Sequence, residues 1–181
     1  MKKLKLFLAL VALVVSGQAF AQVDGVVKFP DPAKYKYVKM ETKYGDVVMR
    51  LYPDVAPNTV NAFLARVSEG FYDGVYFHRV IPGFVAQGGD PTLVGRKAAG
   101  YTLPAEFSNL KHKRGTIAMA RVGNDINSAS TQFYITYSRQ SHLDGQYTIF
   151  GEVESGMDAV DQINKGDKML KLYEVQKRTS Q

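Results

Sequence analysis

Residues 77–90 read Phe77-His78-Arg79-Val80-Ile81-Pro82-Gly83-Phe84-Val85-Ala86-Gln87-Gly88-Gly89-Asp90, an arginine set within two otherwise apolar runs that meet at a Pro-Gly turn. Such runs on either side of a Gly-containing turn predict a β-hairpin. With a three-residue loop of Pro82, Gly83 and Phe84, Ile81 faces Val85 and Arg79 faces Gln87 on one side of the sheet. A two-residue loop would pair Arg79 with Ala86 instead. Burying even part of a guanidinium requires acceptors. In the first register Gln87 supplies a side-chain amide that orients Arg79, which is how a preorganised donor is built. The other reading of Arg79 is a structural ion pair at a barrel rim, and spacing alone leaves both open. His78 points to the opposite face and reads as a structural histidine.

Working outward, residues 38–42 and 47–52 flank Lys43-Tyr44-Gly45-Asp46, a strand pair joined by a turn. Residues 57–67 place Val60, Phe63, Leu64 and Val67 on one helical face, with Pro57 suited to the first turn and Gly70 to the stop. Further strands are expected at 75–81, 84–87, 116–120, 132–136, 147–153 and 169–176, with a short helix at 157–164. Eight short strands and two helices predict a mainly β fold, a closed eight-stranded antiparallel β-barrel capped by two α-helices. The bulky Val, Ile, Phe, Tyr and Met of these strands predict a filled interior, not the empty one of a small-ligand barrel. Residues 22–34, with Pro30 and Pro32, read as a loose lead-in to one domain spanning 35–181.

The first residues read as an address. Lys2, Lys3 and Lys5 precede an apolar run from Leu6 to Val15, and Ala19-Phe20-Ala21 closes it with an Ala-x-Ala site, the three-part layout of a cleavable signal peptide over 1–21. A bilayer core needs roughly 20 helical residues, so a run of this length is a poor anchor. Cleavage would remove three of the lysines behind the +6 net charge and no acid, leaving +3. The remaining cations are scattered, so no nucleic acid is expected as partner. The one basic cluster, Lys111-His112-Lys113-Arg114, reads as a solvated loop. The expected compartment is the periplasm, with secretion as second choice. Cys is absent, which excludes disulfides, thiolate metal sites and a cysteine nucleophile, so stability must come from packing.

Ordinary catalytic groups are scarce. His78, His112 and His142 lack metal-ligand spacing, so neither metal nor cofactor is expected. No nucleophile elbow, Walker loop or dinucleotide fingerprint is present.

Residues 77–92, reading FHRVIPGFVAQGGDPT, resemble the central motif of the cyclophilins, the cyclosporin-binding type of peptidyl-prolyl cis-trans isomerase. The resemblance continues through Gly70-Phe71-Tyr72-Asp73-Gly74, Ile117-Ala118-Met119-Ala120, Gln132-Phe133-Tyr134-Ile135 and the stretch from Leu143-Asp144-Gly145 to Phe150-Gly151, and covers 38–175. It implies Arg79 as the catalytic residue and a proline pocket from Phe84, Val85, Tyr134 and Leu143. It likewise implies substrate contacts from Ile81, Gln87, Ala120, Arg121, Gln132, His142 and Tyr147. Several positions depart from the eukaryotic cytosolic pattern: Val85 stands where Met is usual, Arg121 where Asn is, Tyr134 where Phe is, His142 where Trp is and Tyr147 where His is. The segment 121–131 is also longer. The Trp position contributes to cyclosporin binding in the family, so cyclosporin-type inhibitors are expected to bind with weakened affinity. The implied partners are proline-containing segments of exported polypeptides, met by a monomer without a stable membrane anchor. A binding module or holdase using the same pocket without turnover is the alternative.

Rotation about an X-Pro bond moves no proton and breaks no covalent bond, so the missing nucleophile suits it. What opposes rotation is amide resonance, about 18–20 kcal/mol. Arg suits the task because it is always charged and offers several donors in a fixed fork.

Overall fold

The computed structural model describes residues 30–92 and 100–176. The signal peptide read at 1–21 and the lead-in up to residue 29 lie outside the described residues. Ten main elements follow in chain order: β1 (Lys36–Thr42), β2 (Gly45–Leu51), α1 (Pro57–Ser68), β3 (Arg79–Ile81), β4 (Val85–Gly88), β5 (Thr116–Met119), β6 (Phe133–Thr136), β7 (Ile149–Ser155), α2 (Met157–Asp161) and β8 (Lys171–Val175). The eight strands form one antiparallel sheet in the order β3-β4-β6-β5-β7-β2-β1-β8.

The sheet curls until its edges meet. Ahead of β3 and β8, Gly74 and Phe77 donate backbone hydrogen bonds to Met169 and Asp167, and Met169 and Gly166 donate back to Val75 and Phe77, all within 2.7–2.9 Å. These bonds satisfy edge groups that an open sheet would leave to water. The strand expected at 75–81 is therefore divided: its first part makes this seam, with a bridge from Tyr76 to Lys168, and only Arg79–Ile81 joins the ladder.

Alternation sorts the strand residues. Val38, Met40, Met49, Leu51, Ala86, Ile117, Met119, Phe133, Ile135, Phe150 and Leu172 point into one interior cluster, which is filled as the strand composition implied. Helix α1 adds Val60, Phe63 and Val67 to it. Phe63 meets Phe133 edge-on at 5.4 Å, a geometry aromatic quadrupoles favour.

Helix α1 has no side-chain cap of its own, Ala56 occupying the N-cap position. The backbone N–H groups of Asn58 and Thr59 instead donate to the Glu106 carboxylate at 3.0 and 2.9 Å, so a distant residue satisfies the first turn. At the other end Phe71 N–H reaches Arg66 O and Gly70 N–H reaches Val67 O, with Gly70 at φ 68°. This is a Schellman close, and it requires the left-handed conformation that glycine supplies.

Other boundaries shift modestly. The β1–β2 turn is only Lys43-Tyr44, because Thr42 already pairs with Gly45. Helix α2 stops at Asp161, and the segment to Asn164 leaves the helix. Strand β7 begins at Ile149, so Tyr147 precedes it. The basic cluster is not simply solvated. Lys111 and Lys113 are exposed, but His112 is wholly buried and Arg114 pairs with Asp161 at 2.6 Å. The described end of the lead-in forms a short 3-10 turn, Pro32–Lys34, and is tied down where Asp31 N–H donates to Asp54 at 2.7 Å. Among the described residues no helix is long and apolar enough to cross a membrane.

Candidate active site

Strands β3 and β4 pair Arg79 with Gln87, Val80 with Ala86 and Ile81 with Val85, so the hairpin takes the three-residue loop. Ala86 faces the interior, which sends Val85 and Gln87 to the outer face of the sheet. On the neighbouring strands Ala118 and Tyr134 point the same way. Together with Leu143 and Ile149 they form a second, smaller apolar cluster, flanked by Phe84, Leu110, Ala120 and Tyr147. Strands β5 and β6 are consequently buried on both faces, as their unbroken apolar stretches require.

Over this outer cluster lies a cleft of ≈ 360 Å³ lined by Arg79, Phe84, Val85, Gln87, Ala120, Arg121, Tyr134, Leu143 and Tyr147. All nine are residues singled out in the sequence. The other three sit around it. Gln132 lies behind Gln87, His142 stacks on Phe84 with ring centroids 5.7 Å apart, and Ile81 is exposed on the hairpin outside the lining.

Arg79 is exposed and among the described residues has no carboxylate partner, which removes the ion-pair reading of this residue. Its Nη1 donates to Gln87 Oε1 at 3.3 Å and its guanidinium lies 5.5 Å from the centre of the Phe84 ring. The orientation is passed inward. Gln87 Nε2 donates to Gln132 Oε1 at 3.0 Å, and Gln132 Nε2 donates to the buried Asp90 carboxylate at 3.1 Å. Each amide is fixed by donating to the next group, so Gln87 must present its carbonyl oxygen to Arg79. Gly89, at φ 90°, lets the chain turn Asp90 under Gln132. A Cβ there would lie 2.5 Å from Thr131 O, so no other residue fits.

The pocket floor has its own support. Tyr134 Oη lies 3.0 Å from His112 Nε2, and His112 Nδ1 lies 3.1 Å from Asp144 Oδ1. Burial pushes the Asp144 carboxyl up, but hydrogen bonds from Arg139 and His112 outweigh it and hold it well below the usual carboxylate range. Burial also lowers the His112 pKa, against the pull of Asp144, so the ring is neutral at pH 7. Asp144 accepts the Nδ1 proton, which leaves Nε2 to accept from the Tyr134 hydroxyl. Burial raises the Tyr134 pKa, so its hydroxyl remains a donor. His112, Asp144 and Asp90 carry no site role in the sequence reading. The only available signal was His112 and Asp90 among otherwise exposed types, and burial became visible only in the fold. His78 is half-buried with its pKa lowered mainly by burial, and it is not among the residues that line the cleft. Among the described residues no group of three or more His, Cys, Asp or Glu side chains is placed to hold a metal ion.

The barrel thus carries an oriented guanidinium above an apolar outer-face pocket. Residues 37–179 match the family described as cyclophilin type peptidyl-prolyl cis-trans isomerase/CLD. A probable peptidyl-prolyl cis-trans isomerase of Brucella suis biovar 1 (strain 1330) is 48% identical over 143 residues, 72% of each chain. Peptidyl-prolyl cis-trans isomerase B of Bacillus subtilis (strain 168) is 43% identical over 125 residues, 68% of this chain and 86% of its own. The crystal structure of a Cryptosporidium parvum cyclophilin type peptidyl-prolyl cis-trans isomerase superposes with TM-score 0.71 at 30% identity, covering 78% of this chain and 98% of that one. The same protein was also crystallised in the presence of the dipeptide Ala-Pro, TM-score 0.69, covering 75% of this chain and 96% of that one. The chain belongs to the cyclophilin-type peptidyl-prolyl cis-trans isomerases.

Proposed function

We propose that this isomerase acts on X-Pro bonds of folding exported polypeptides, with Arg79 as the catalytic residue. The observation that carries the reading is an arginine without a carboxylate partner among the described residues, aimed by Gln87 across an apolar cleft. The proline ring packs on Phe84, Val85, Tyr134 and Leu143. As the bond twists, the amide loses conjugation and the proline nitrogen becomes pyramidal with a localised lone pair. An N–H of Arg79 donates to that lone pair, which neither planar form presents, so the contact binds the transition state selectively. The Ala-Pro dipeptide used with the Cryptosporidium relative supports a proline-containing ligand for this cleft.

The three-part, Lys-rich amino terminus supports export to the periplasm after cleavage behind Ala21, with release to the medium as second choice. The domain then spans 35–181 and acts as a monomer. Isomerisation of a proline tetrapeptide, followed with and without the protein, tests the activity; binding without acceleration selects a holdase instead. Cell fractionation with amino-terminal sequencing tests the address. A mature chain beginning at Gln22 is expected, and a cytosolic chain retaining Lys2 overturns it.

A further inference from the structure

Six arginines lie among the described residues, and four of them pair with carboxylates: Arg50 with Glu152 and Glu154, Arg66 with Glu69, Arg114 with Asp161 and Arg139 with Asp144. The two with no carboxylate partner among the described residues are Arg79 and Arg121, and both line the cleft. No acidic side chain joins them in the lining. The site therefore presents two uncompensated cations over an apolar floor, on a molecule that neutralises its other described arginines.

Arg121 is also held in place. Its guanidinium sits 4.7 Å from the centre of the Tyr147 ring. Its Nε donates to Gln146 O at 3.0 Å, and its Nη1 to Val122 O at 3.2 Å and to Gly123 O. All of these partners are neutral, so they fix the fork without cancelling its charge. Nη2 makes no hydrogen bond among the described residues. A half-buried, pre-oriented guanidinium loses little side-chain freedom when it takes up an anion. Arg79, by contrast, is held by a side chain, Gln87, and is the donor assigned above to the twisting amide.

We infer that Arg121 is a specificity-determining residue: it makes the cleft prefer peptides that carry an Asp or Glu side chain immediately beside the proline. The inference rests on the isomerase reading above, deepening it to a substrate class. A carboxylate on the neighbouring residue pairs with Nη2 while the proline ring occupies the apolar floor. The gain is electrostatic, so added salt weakens it.

The test compares kcat/KM, measured by NMR exchange, for two peptide pairs: Glu against Gln before the proline, and Glu against Gln after it. The unmodified protein is expected to favour the Glu form of at least one pair by about threefold or more at low salt. The ratio should fall towards one in Arg121→Gln, and in the unmodified protein as salt rises to about 0.5 M. Because each ratio compares two peptides on one protein, any general disturbance of the loop around Arg121 cancels. Equal rates for Glu and Gln in both pairs overturn the inference, as does a preference that survives both Arg121→Gln and salt. Failure to accelerate any of the four peptides instead sinks the isomerase reading, and this inference with it.

Discussion

Replacing Arg79 by lysine keeps a cation on β3 and removes the planar fork. In the native arrangement Nη1 rests on Gln87 Oε1 at 3.3 Å and the guanidinium lies over Phe84 at 5.5 Å, two contacts that hold the fork at the cleft. A lysine ammonium carries its three donors on a single nitrogen, which cannot rest on Gln87 and reach the proline nitrogen as two separated arms of a fork do, so it must either stay anchored or act. On the role proposed for Arg79, the lost interaction is a charge-assisted hydrogen bond made in the twisted amide, about 1.5–3 kcal/mol, which at about 1.4 kcal/mol per decade is a ten- to hundredfold fall in kcat/KM. The exposure of Arg79 places the expected loss toward the lower end of that range. Folding should be indifferent, because the residue is exposed and has no carboxylate partner among the described residues. Its replacement lies within the ±0.5 kcal/mol usual at a surface position. The assay is the tetrapeptide isomerisation rate beside a denaturant titration of the same variant. Near-full activity in Arg79→Lys refutes the need for an oriented fork. A loss of activity that parallels a loss of stability refutes the separation of catalysis from folding.

Two further outcomes concern the floor of the pocket. Tyr134→Phe keeps the ring and strands the buried His112 Nε2 without its donor, so the denaturation midpoint should fall by the equivalent of about 1–3 kcal/mol; an unchanged midpoint would show that water or a shifted side chain restores the bond. Acid should destabilise the protein in two stages. His112, with its folded pKa lowered from 6.5 mainly by burial, gives stability that is lost as pH falls below about 6.5, and His78 adds in the same sense. Asp144, held below its ordinary 3.8, gives stability present above that value and lost as pH falls beneath it. A thermal midpoint flat from pH 7 to pH 5 would contradict the first stage.

How much of this was legible beforehand differs from element to element. The hairpin at residues 77–90 was readable because both of its registers depend only on loop length, and Pro82-Gly83-Phe84 is a natural loop. The α1 face was readable because Val60, Phe63 and Val67 recur at helical offsets. The cleft residues were named through family resemblance, since chain order says nothing of Gln87, Ala120 and Leu143 sharing one outer face. The division of 75–81 into a seam and a short strand was not readable, because β propensity does not say which partner a strand finds.

By itself the sequence determined the strand and helix pattern of the barrel class and the lack of any cysteine thiol, because periodicity, turn chemistry and residue type are local properties. Only the tertiary structure decided which charges are cancelled. It buried His112 between Tyr134 and Asp144, linked Arg79 inward to Asp90, and left Arg79 and Arg121 without carboxylates among the described residues while pairing the other four described arginines. Pairing and burial depend on distances between residues remote along the chain, and those distances exist only once the sheet has curled.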